Sequence, residues 1–168
     1  FPKVPSIGCI GMGYDTRIVE DGVSIIAYTE GTEVVANVLE QVSAMPVKYI
    51  HRMEQDLMKI DASSDNTVCI DFCSSNDACV LTTAYSLLGK RNIQLVGGTG
   101  DAGKVSANGK VYEDAAAYAF VKNKGGRVKT YKENIYKPLD GQYLIASETD
   151  RSNYLLGALN GKPAKQVY

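Results

Sequence analysis

Tryptophan is absent from the sequence, histidine occurs once, as His51, and the charges nearly cancel. Eighteen basic residues stand against nineteen acidic ones, which gives a formal net charge of −1. This balance supplies no field that would attract nucleic acid or an anionic membrane, so we expect neither as a partner. No apolar run approaches the roughly 20 residues of a membrane-spanning helix, and no secretory signal with a basic start and an apolar core is present.

The single histidine and the absence of a GxSxG motif disfavour hydrolase chemistry. His51 falls within a predicted helix without neighbouring ligand-type residues, so we expect it at the surface. The four cysteines lack the CxxC spacing of metal sites, and a chain of 168 residues does not need disulfides to fold. We therefore expect no catalytic residues, no metal, no cofactor and a cytoplasmic protein, with buried free thiols at Cys9, Cys69, Cys73 and Cys79.

The first third of the chain combines extended and helical patterns. Two extended segments, Ile7–Val19 and Val23–Thr29, flank an Asp-Gly pair, which predicts a β-hairpin because both turn residues tolerate positive φ. Thr32 then provides an N-cap, and apolar residues recur at helical spacing as far as Val42. This spacing predicts a first helix that ends before Pro46.

A strand–helix–strand unit follows a second predicted helix, Val47–Ile60. Thr67–Phe72 is a continuous apolar run, the pattern of a strand covered on both faces. Capping residues then open a helix over Ala78–Leu88, which Gly89 would close. Ile93–Val96 predicts the next short buried strand, and the unit as a whole predicts two parallel strands with a right-handed crossover.

Glycine-containing turn pairs punctuate the second half of the chain at 108–109, 125–126, 140–141 and 160–161. Between them, Val111–Val121, Val128–Ile135 and Tyr143–Ser147 are rich in β-branched residues, Tyr and Ala, which predicts an antiparallel meander. The whole pattern predicts a mixed α/β (α+β) layered fold. Without an internal repeat or a linker, we expect a single domain over residues 1–168.

Gly98–Gly103 matches the GxGxxG pattern of dinucleotide-binding proteins and follows a predicted strand. That fingerprint requires a helix after the third glycine, because the helix N-terminus holds the pyrophosphate. Here Lys104 and Val105 lead instead to a turn at Asn108-Gly109. A nucleotide-dependent enzyme built on this loop is therefore the weaker alternative.

Polar residues end the two predicted parallel strands, and in open α/β sheets ligands bind at that edge. Ser74 would equally serve as a cap of the following helix. A crevice with a carboxylate, hydroxyls and backbone N–H groups suits a small zwitterion, and an arginine, Arg151 or Arg17, would hold its carboxylate, although no pattern places either arginine there. The candidate ligand-binding residues are Asp71, Ser74, Gly97, Gly98, Thr99, Asp101 and Arg151.

Four stretches, taken in order, carry a family resemblance. The first is a pair of strand motifs, Pro5–Gly13 with Asp21–Ile26, and the second is a Gly-Gly pair followed by Asp within Ile93–Asp101. The third is a hairpin pattern at Asn108–Ala115. The fourth combines Asn-Gly-Lys-Pro-Ala with a final Tyr in Leu159–Tyr168. Together they resemble the N-terminal part of the FIST domain, a sensory module named for F-box and intracellular signal transduction proteins. The family's first strand and helix have no counterpart here, its C-terminal half lies beyond Tyr168, and the chain begins at Phe1 rather than Met, so we expect a piece of a longer protein.

The resemblance implies a non-enzymatic, cytoplasmic sensor of a small ligand, expected to be an amino acid or a similar metabolite. In bacterial signalling proteins such a module is joined to an output domain, for example a chemotaxis methyl-acceptor or a histidine kinase. The resemblance implies no catalytic constellation and no cofactor. An alternative is a structural or oligomerisation module of the same signalling protein, which would form a homodimer through Val47–Ile60.

Overall fold

Short strands joined by turns alternate with two longer helices along the chain. A computed structural model describes residues 4–11, 13–14, 17–18, 21–44, 49–141, 143–153 and 155–167. The strands are β1 Ile7–Ile10, β2 Gly13–Tyr14, β3 Arg17–Ile18, β4 Thr32–Glu40, β5 Thr67–Cys73, β6 Gln94–Thr99, β7 Asp101–Ala107, β8 Lys110–Glu113, β9 Ala115–Asn123, β10 Ala146–Asp150, β11 Leu155–Leu159 and β12 Lys162–Pro163. The helices are α1 Ile50–Lys59, α2 Asp77–Arg91 and α3 Ala164–Val167.

The chain divides into two compact units, Phe1–Thr130 and Tyr131–Tyr168. Strands and helices are mixed, and antiparallel pairs predominate among the strands, which confirms the predicted α+β class. The single domain expected over residues 1–168 stays a prediction. None of the helices in the described part of the chain has both the length and the apolar character required to cross a membrane.

The first unit is organised around β9, the second strand of a sheet with the order β4-β9-β5-β6. Its sequence is rich in alanine, so both of its neighbouring layers can approach the backbone closely. Ala116, Tyr118 and Phe120 pack in one core cluster, whereas Ala115 and Ala117 pack in another. This alternation places one cluster on each face of the sheet, as the period of two in a strand requires.

Both long helices contribute to the first of these clusters. Met53 and Leu57 of α1 and Leu87 and Leu88 of α2 pack there with side chains from β5 and β9. Because the apolar side of α1 is already buried in this core, the helix does not offer that side to a second subunit. The parallel pairing of β5 with β6, joined by α2, confirms the predicted strand–helix–strand unit.

A second sheet, with the order β1-β7-β8, lies on the opposite face. Val105 and Ala107 of β7, with Ile7 of β1, pack against Ala115 and Ala117 of the first sheet. The first unit is therefore a stack of helices, a four-stranded sheet and a three-stranded sheet. The hairpin predicted at Asn108-Gly109 is present between β7 and β8, and both turn residues have positive φ.

The helix predicted from Thr32 to Val42 is wrong, because Thr32–Glu40 forms β4. This strand pairs antiparallel with β9 along its whole length, from Thr32 opposite Asn123 to Glu40 opposite Ala115. A short apolar run fits helical and extended spacing alike, and its three β-branched valines favour a strand. Pairing with a partner remote in sequence decided between the two. The predicted helix end at Pro46 lies outside the described residues.

The hairpin predicted between Ile7–Val19 and Val23–Thr29 is also wrong. β1 pairs with β7 instead, β2 with β3, and residues 22–29 form no strand. The extended run predicted at Val128–Ile135 carries no strand either, and Tyr143–Ser147 enters β10 only at Ala146. In each case the local apolar pattern is not sufficient for pairing, because a strand forms only where a partner strand is available.

The remaining boundaries differ less. β6 extends beyond Ile93–Val96 to Thr99, and most of it is exposed because it is an edge strand, so the prediction of a buried strand is wrong. α2 runs through Gly89 to Arg91 and ends at Asn92, whose left-handed conformation provides the C-cap. The predicted segment Val111–Val121 is divided at Asp114, where positive φ separates β8 from β9.

The second unit is a small antiparallel sheet with the order β10-β11-β12. Its turn at Asn160-Gly161 was predicted, and both residues have positive φ. Ala158 and Leu159 are its buried apolar residues among those described, whereas Tyr131 and Ile135 are exposed. The antiparallel sheet of this unit therefore contains only Ala146 and Ser147 from the segments predicted to form the meander.

Candidate ligand site at the strand ends

The parallel register of β5 and β6 places the predicted strand ends side by side. Asp71 lies opposite Gly97, and the next two pairs are Phe72 with Gly98 and Cys73 with Thr99. The expectation that both strands end at one edge of the sheet is confirmed. The structure therefore brings Asp71, Gly97, Gly98 and Thr99 together.

Gly97 contacts Asp71 so closely that no side chain would fit between them. A Cβ atom built on Gly97 would overlap the carbonyl oxygen and the carboxylate Oδ1 of Asp71. Only glycine permits this approach of two neighbouring strands. Asp71 is 5 % exposed, whereas residues 97–99 are exposed, so the carboxylate lies beneath an accessible segment of backbone.

Among the residues that the structure describes, the Asp71 carboxylate has few compensating partners. Burial raises its pKa to about 6, and repulsion from Asp77 acts in the same direction, while hydrogen bonds from the Cys73 thiol and from its own backbone oppose the shift. The thiol donates to Oδ2 over 3.4 Å, a weak bond. Burial and the nearby carboxylates also raise the pKa of Cys73 to about 12, so this thiol is a neutral donor and not a nucleophile.

Thr99 and Asp77 form the outer part of the site. The Thr99 hydroxyl donates to Asp77 Oδ2 over 3.3 Å, which links the end of β6 to the first turn of α2. Side-chain capping by the polar run before α2 was predicted, but Asn76 is left-handed and makes no side-chain cap bond. Asp77 instead places its carboxylate in the first turn, where the helix dipole favours a negative charge.

Ser74 is buried next to Asp71 and bonded to the backbone of β9. Its hydroxyl accepts a hydrogen bond from the Ala115 N–H over 2.8 Å, and its own N–H donates to the Ala115 carbonyl over 2.9 Å. These two bonds hold the start of the β5–α2 connection to the sheet. Ser74 therefore has a structural role here, and its role as a ligand residue stays a prediction.

Residues 97–101 carry the chain from the first sheet to the second. The Gly100 N–H donates to the Cys73 carbonyl over 2.8 Å, and a Cβ atom on Gly100 would lie 2.7 Å from the Cβ of Cys9. Asp101 then begins β7. Partial burial of Cys9 is the main cause that raises the pKa of its thiol, and the charge of Asp101 raises this pKa further. β7 continues through Gly103, so the helix that a dinucleotide site needs is replaced by a strand.

The other sequence-predicted residues have separate locations. Arg151 belongs to the second unit, in the exposed turn between β10 and β11, and its ligand-binding role stays a prediction. His51 is exposed and bonds to Gln55, as expected of a surface residue. Of the free cysteines, Cys69 and Cys73 are buried, but Cys9 is exposed and Cys79 is only partly buried, so the expectation of buried thiols is wrong for those two residues.

A second polar cluster, which sequence reasoning missed, surrounds Asp56 of α1. This carboxylate is 1 % exposed and accepts hydrogen bonds from Tyr118 (2.7 Å), Asn37 (3.0 Å) and Lys59 (2.6 Å). Burial would raise its pKa, but these three hydrogen bonds and the Lys59 charge outweigh burial and lower it. The position of Asp56 three residues after Met53, on the apolar side of α1, was the available signal.

Within the described residues, no group of three or more His, Cys, Asp or Glu side chains is arranged to hold a metal ion. The family model of the FIST N domain matches residues 1–162. That range includes all the candidate residues. No curated protein and no solved structure gives a significant match to the chain.

Proposed function

Because the chain belongs to the FIST N domain family, a family of sensory domains in signal transduction, we propose that it binds a small metabolite without catalysing a reaction. The ligand-binding residues are those at the ends of β5 and β6. The observation that carries this assignment is the Asp71 carboxylate, which is buried beneath exposed backbone and bonded only weakly. Carboxyl groups with strongly perturbed pKa values are concentrated at functional sites.

The charges at this site favour a ligand with an ammonium group. Asp71 and Asp77 contribute carboxylates that repel each other, Thr99 adds a hydroxyl, and Asp101 stays a proposed ligand residue. An ammonium ion would give Asp71 the charged partner that the described residues do not supply, and it would lower the pKa of this carboxyl. An amino acid or a similar amine-bearing metabolite has this chemistry.

Signal output would lie outside this chain. We propose an intracellular bacterial signalling protein, for example of the chemotaxis type, in which ligand binding here acts on an output domain of the same polypeptide. The family match supports the sensory role, and the near-zero net charge supports a small molecule over nucleic acid or a membrane surface.

A thermal-shift screen with amino acids and related amines tests this function. A ligand present at 100 times its dissociation constant adds about 2.7 kcal/mol to the free energy of unfolding, which is a readily measured shift. We expect Asp71→Asn and Thr99→Val to remove the shift, and Asp61→Asn, at an exposed carboxylate of the α1–β5 connection, to retain it. A ligand that raises the unfolding temperature of Asp71→Asn as much as that of the wild type would contradict the assignment of the site. If no compound of a broad panel raised the unfolding temperature of the wild type, the proposed function would be contradicted.

A further inference from the structure

A cavity of about 350 Å³ opens at the free edge of β4, away from the strand-end site. It is lined by Val4, Pro5, Val34–Ala36, Lys59 and Asn108. It is open to solvent and not an enclosed pocket, as suits a segment of chain laid along a sheet edge. The wall combines aliphatic side chains, one ammonium group and the edge of a sheet.

The outward-facing backbone of β4 is identified by the side chains that bond to it. Among the described strands, β4 pairs with β9 alone, so the N–H and C=O groups of alternate residues point away from the sheet. The Ala36 carbonyl accepts from Asn108 Nδ2 over 2.9 Å, and the Val38 carbonyl accepts from Arg52 over 3.0 Å. These bonds cover two outward positions of an edge that would otherwise pair with another chain.

Val34 is the next outward position, two residues before Ala36, and it lines the cavity. In the described part of the chain, its outward N–H and C=O have no hydrogen-bond partner. At the preceding outward position, the Thr32 N–H donates to the Thr29 carbonyl. The cavity therefore lies at Val34, whose outward backbone groups are unbonded within the described residues, between the bonded positions Thr32 and Ala36.

Lys59 supplies the positive charge of the cavity. Its ammonium donates to Asp56 over 2.6 Å, and its side chain is 62 % exposed. The ammonium has three N–H donors, so it can donate a hydrogen bond to a second carboxylate. Asp56 also holds the Tyr118 hydroxyl and the Asn37 amide on its other oxygen, so it stays bonded if Lys59 turns toward a ligand.

We propose that this cavity binds the C-terminus of an extended peptide. The peptide backbone pairs with the open N–H and C=O of Val34 as an added strand, a recognised mode of peptide binding at sheet edges. Its terminal carboxylate bonds to Lys59, and its last aliphatic side chain contacts Val4 and Pro5. This function goes beyond metabolite sensing, because its site and its ligand chemistry are both different.

Calorimetric titration of the whole chain with the tripeptide acetyl-Ala-Val-Val tests the proposal. The peptide with a free carboxylate is expected to bind at least about tenfold more tightly than its carboxamide, since loss of a charge-assisted bond costs about that factor. Lys59→Met should reduce the affinity for the free carboxylate to that for the carboxamide. Equal affinity of the wild-type protein for the two peptides, or no binding of either, would overturn the proposal.

A proline variant separates backbone pairing from side-chain packing. Val34→Pro removes the outward N–H without removing a bond to β9, and proline is tolerated at such edge positions. We expect Val34→Pro to abolish peptide binding, whereas Val34→Ala retains the N–H and stays within about threefold of the wild type. Unchanged binding by Val34→Pro, or a dimer of the chain that Val34→Pro dissociates, would contradict a peptide as the occupant. Asp71→Asn should bind the peptide normally, which separates this test from that of the strand-end site.

Discussion

Two buried aspartates of the first unit have opposite surroundings. Asp56 accepts hydrogen bonds from a phenol, an amide and an ammonium, and these hold its pKa below the ordinary value of 3.8. Asp71 is bonded by a thiol and its own backbone, and burial raises its pKa to about 6. Both carboxylates are 5 % exposed or less. Burial is therefore not what distinguishes them.

The difference in partners separates a structural group from a candidate binding group. A buried carboxylate with a full set of donors fixes the elements around it, and Asp56 joins α1 to β4 and β9 in this way. A buried carboxylate with few donors is unfavourable for folding, so its presence points to a role in binding. The same substitution at the two positions should consequently have opposite effects on stability.

Asp56→Asn should give the largest loss of stability. The amide cannot accept from all three donors, so at least one buried polar group is left unpaired, and we expect a loss of about 3 kcal/mol in urea unfolding. Because the pKa of Asp56 is lowered, its contribution is present above pH 3.8 and is lost as the pH falls below that value. Asp61→Asn, at an exposed carboxylate paired with Lys122, should change stability by less than about 0.5 kcal/mol. Equal effects of the two substitutions would show that the Asp56 cluster is not structural.

Gly97→Ala should be the next most damaging change. The added methyl group overlaps backbone and carboxylate oxygens of Asp71, so the two strands must separate, at a cost of about 2–3 kcal/mol. Gly98→Ala is the matched control, because a Cβ atom there meets nothing within 4 Å. Urea unfolding of both variants measures the difference. A Gly97→Ala protein as stable as Gly98→Ala would contradict the close approach to Asp71.

Asp71→Asn should stabilise the protein at pH 7. A pKa raised from 3.8 to about 6 means that the native state binds the proton more tightly, so ionisation lowers stability as the pH rises from about 4 to about 6. This shift corresponds to a destabilisation of about 3 kcal/mol by the ionised carboxylate. The buried amide that replaces it has a desolvation cost of its own, so we expect the substitution to raise the free energy of unfolding by about 1–2 kcal/mol. The gain should disappear at pH 4, which unfolding curves at the two pH values will test. Destabilisation at pH 7 would mean that Asp71 has a partner as effective as those of Asp56.

Thr99→Val should have the smallest effect on stability. It removes one exposed hydrogen bond to Asp77, which contributes about 0.5 kcal/mol. Thr99→Ser keeps the hydroxyl and is the control. A loss well above 1 kcal/mol would indicate that the bond holds β6 to α2 and is not simply part of an accessible surface.

The sequence was sufficient for the parts of the fold that local chemistry determines. The β5–α2–β6 unit and the turns at Asn108-Gly109 and Asn160-Gly161 follow from apolar runs and from residues that tolerate positive φ. β4 was missed because its apolar spacing suits a helix as well, and only pairing with β9 selects the strand. Predictions of this kind fail where a partner distant in the sequence decides the outcome.

The candidate site shows the same limit. Strand order alone placed Asp71 beside Gly97–Thr99, because the ends of parallel strands share one edge of a sheet. The sequence did not reveal that the Ser74 hydroxyl accepts a hydrogen bond from the Ala115 N–H, or that the Thr99 hydroxyl donates to Asp77. These contacts depend on how β9 and α2 pack, and no local pattern specifies that packing.

An NMR titration of the Asp71 carboxyl carbon, with Asp71→Asn for assignment, would distinguish a binding carboxylate from a structural one. We predict a titration midpoint of about 6 in the free protein, because burial without adequate donors disfavours the charged form. The midpoint should fall when an amine-bearing ligand from the screen is bound. A midpoint at the ordinary value of 3.8 in the free protein would contradict the claim, since it would show that Asp71 is as well partnered as a structural carboxylate.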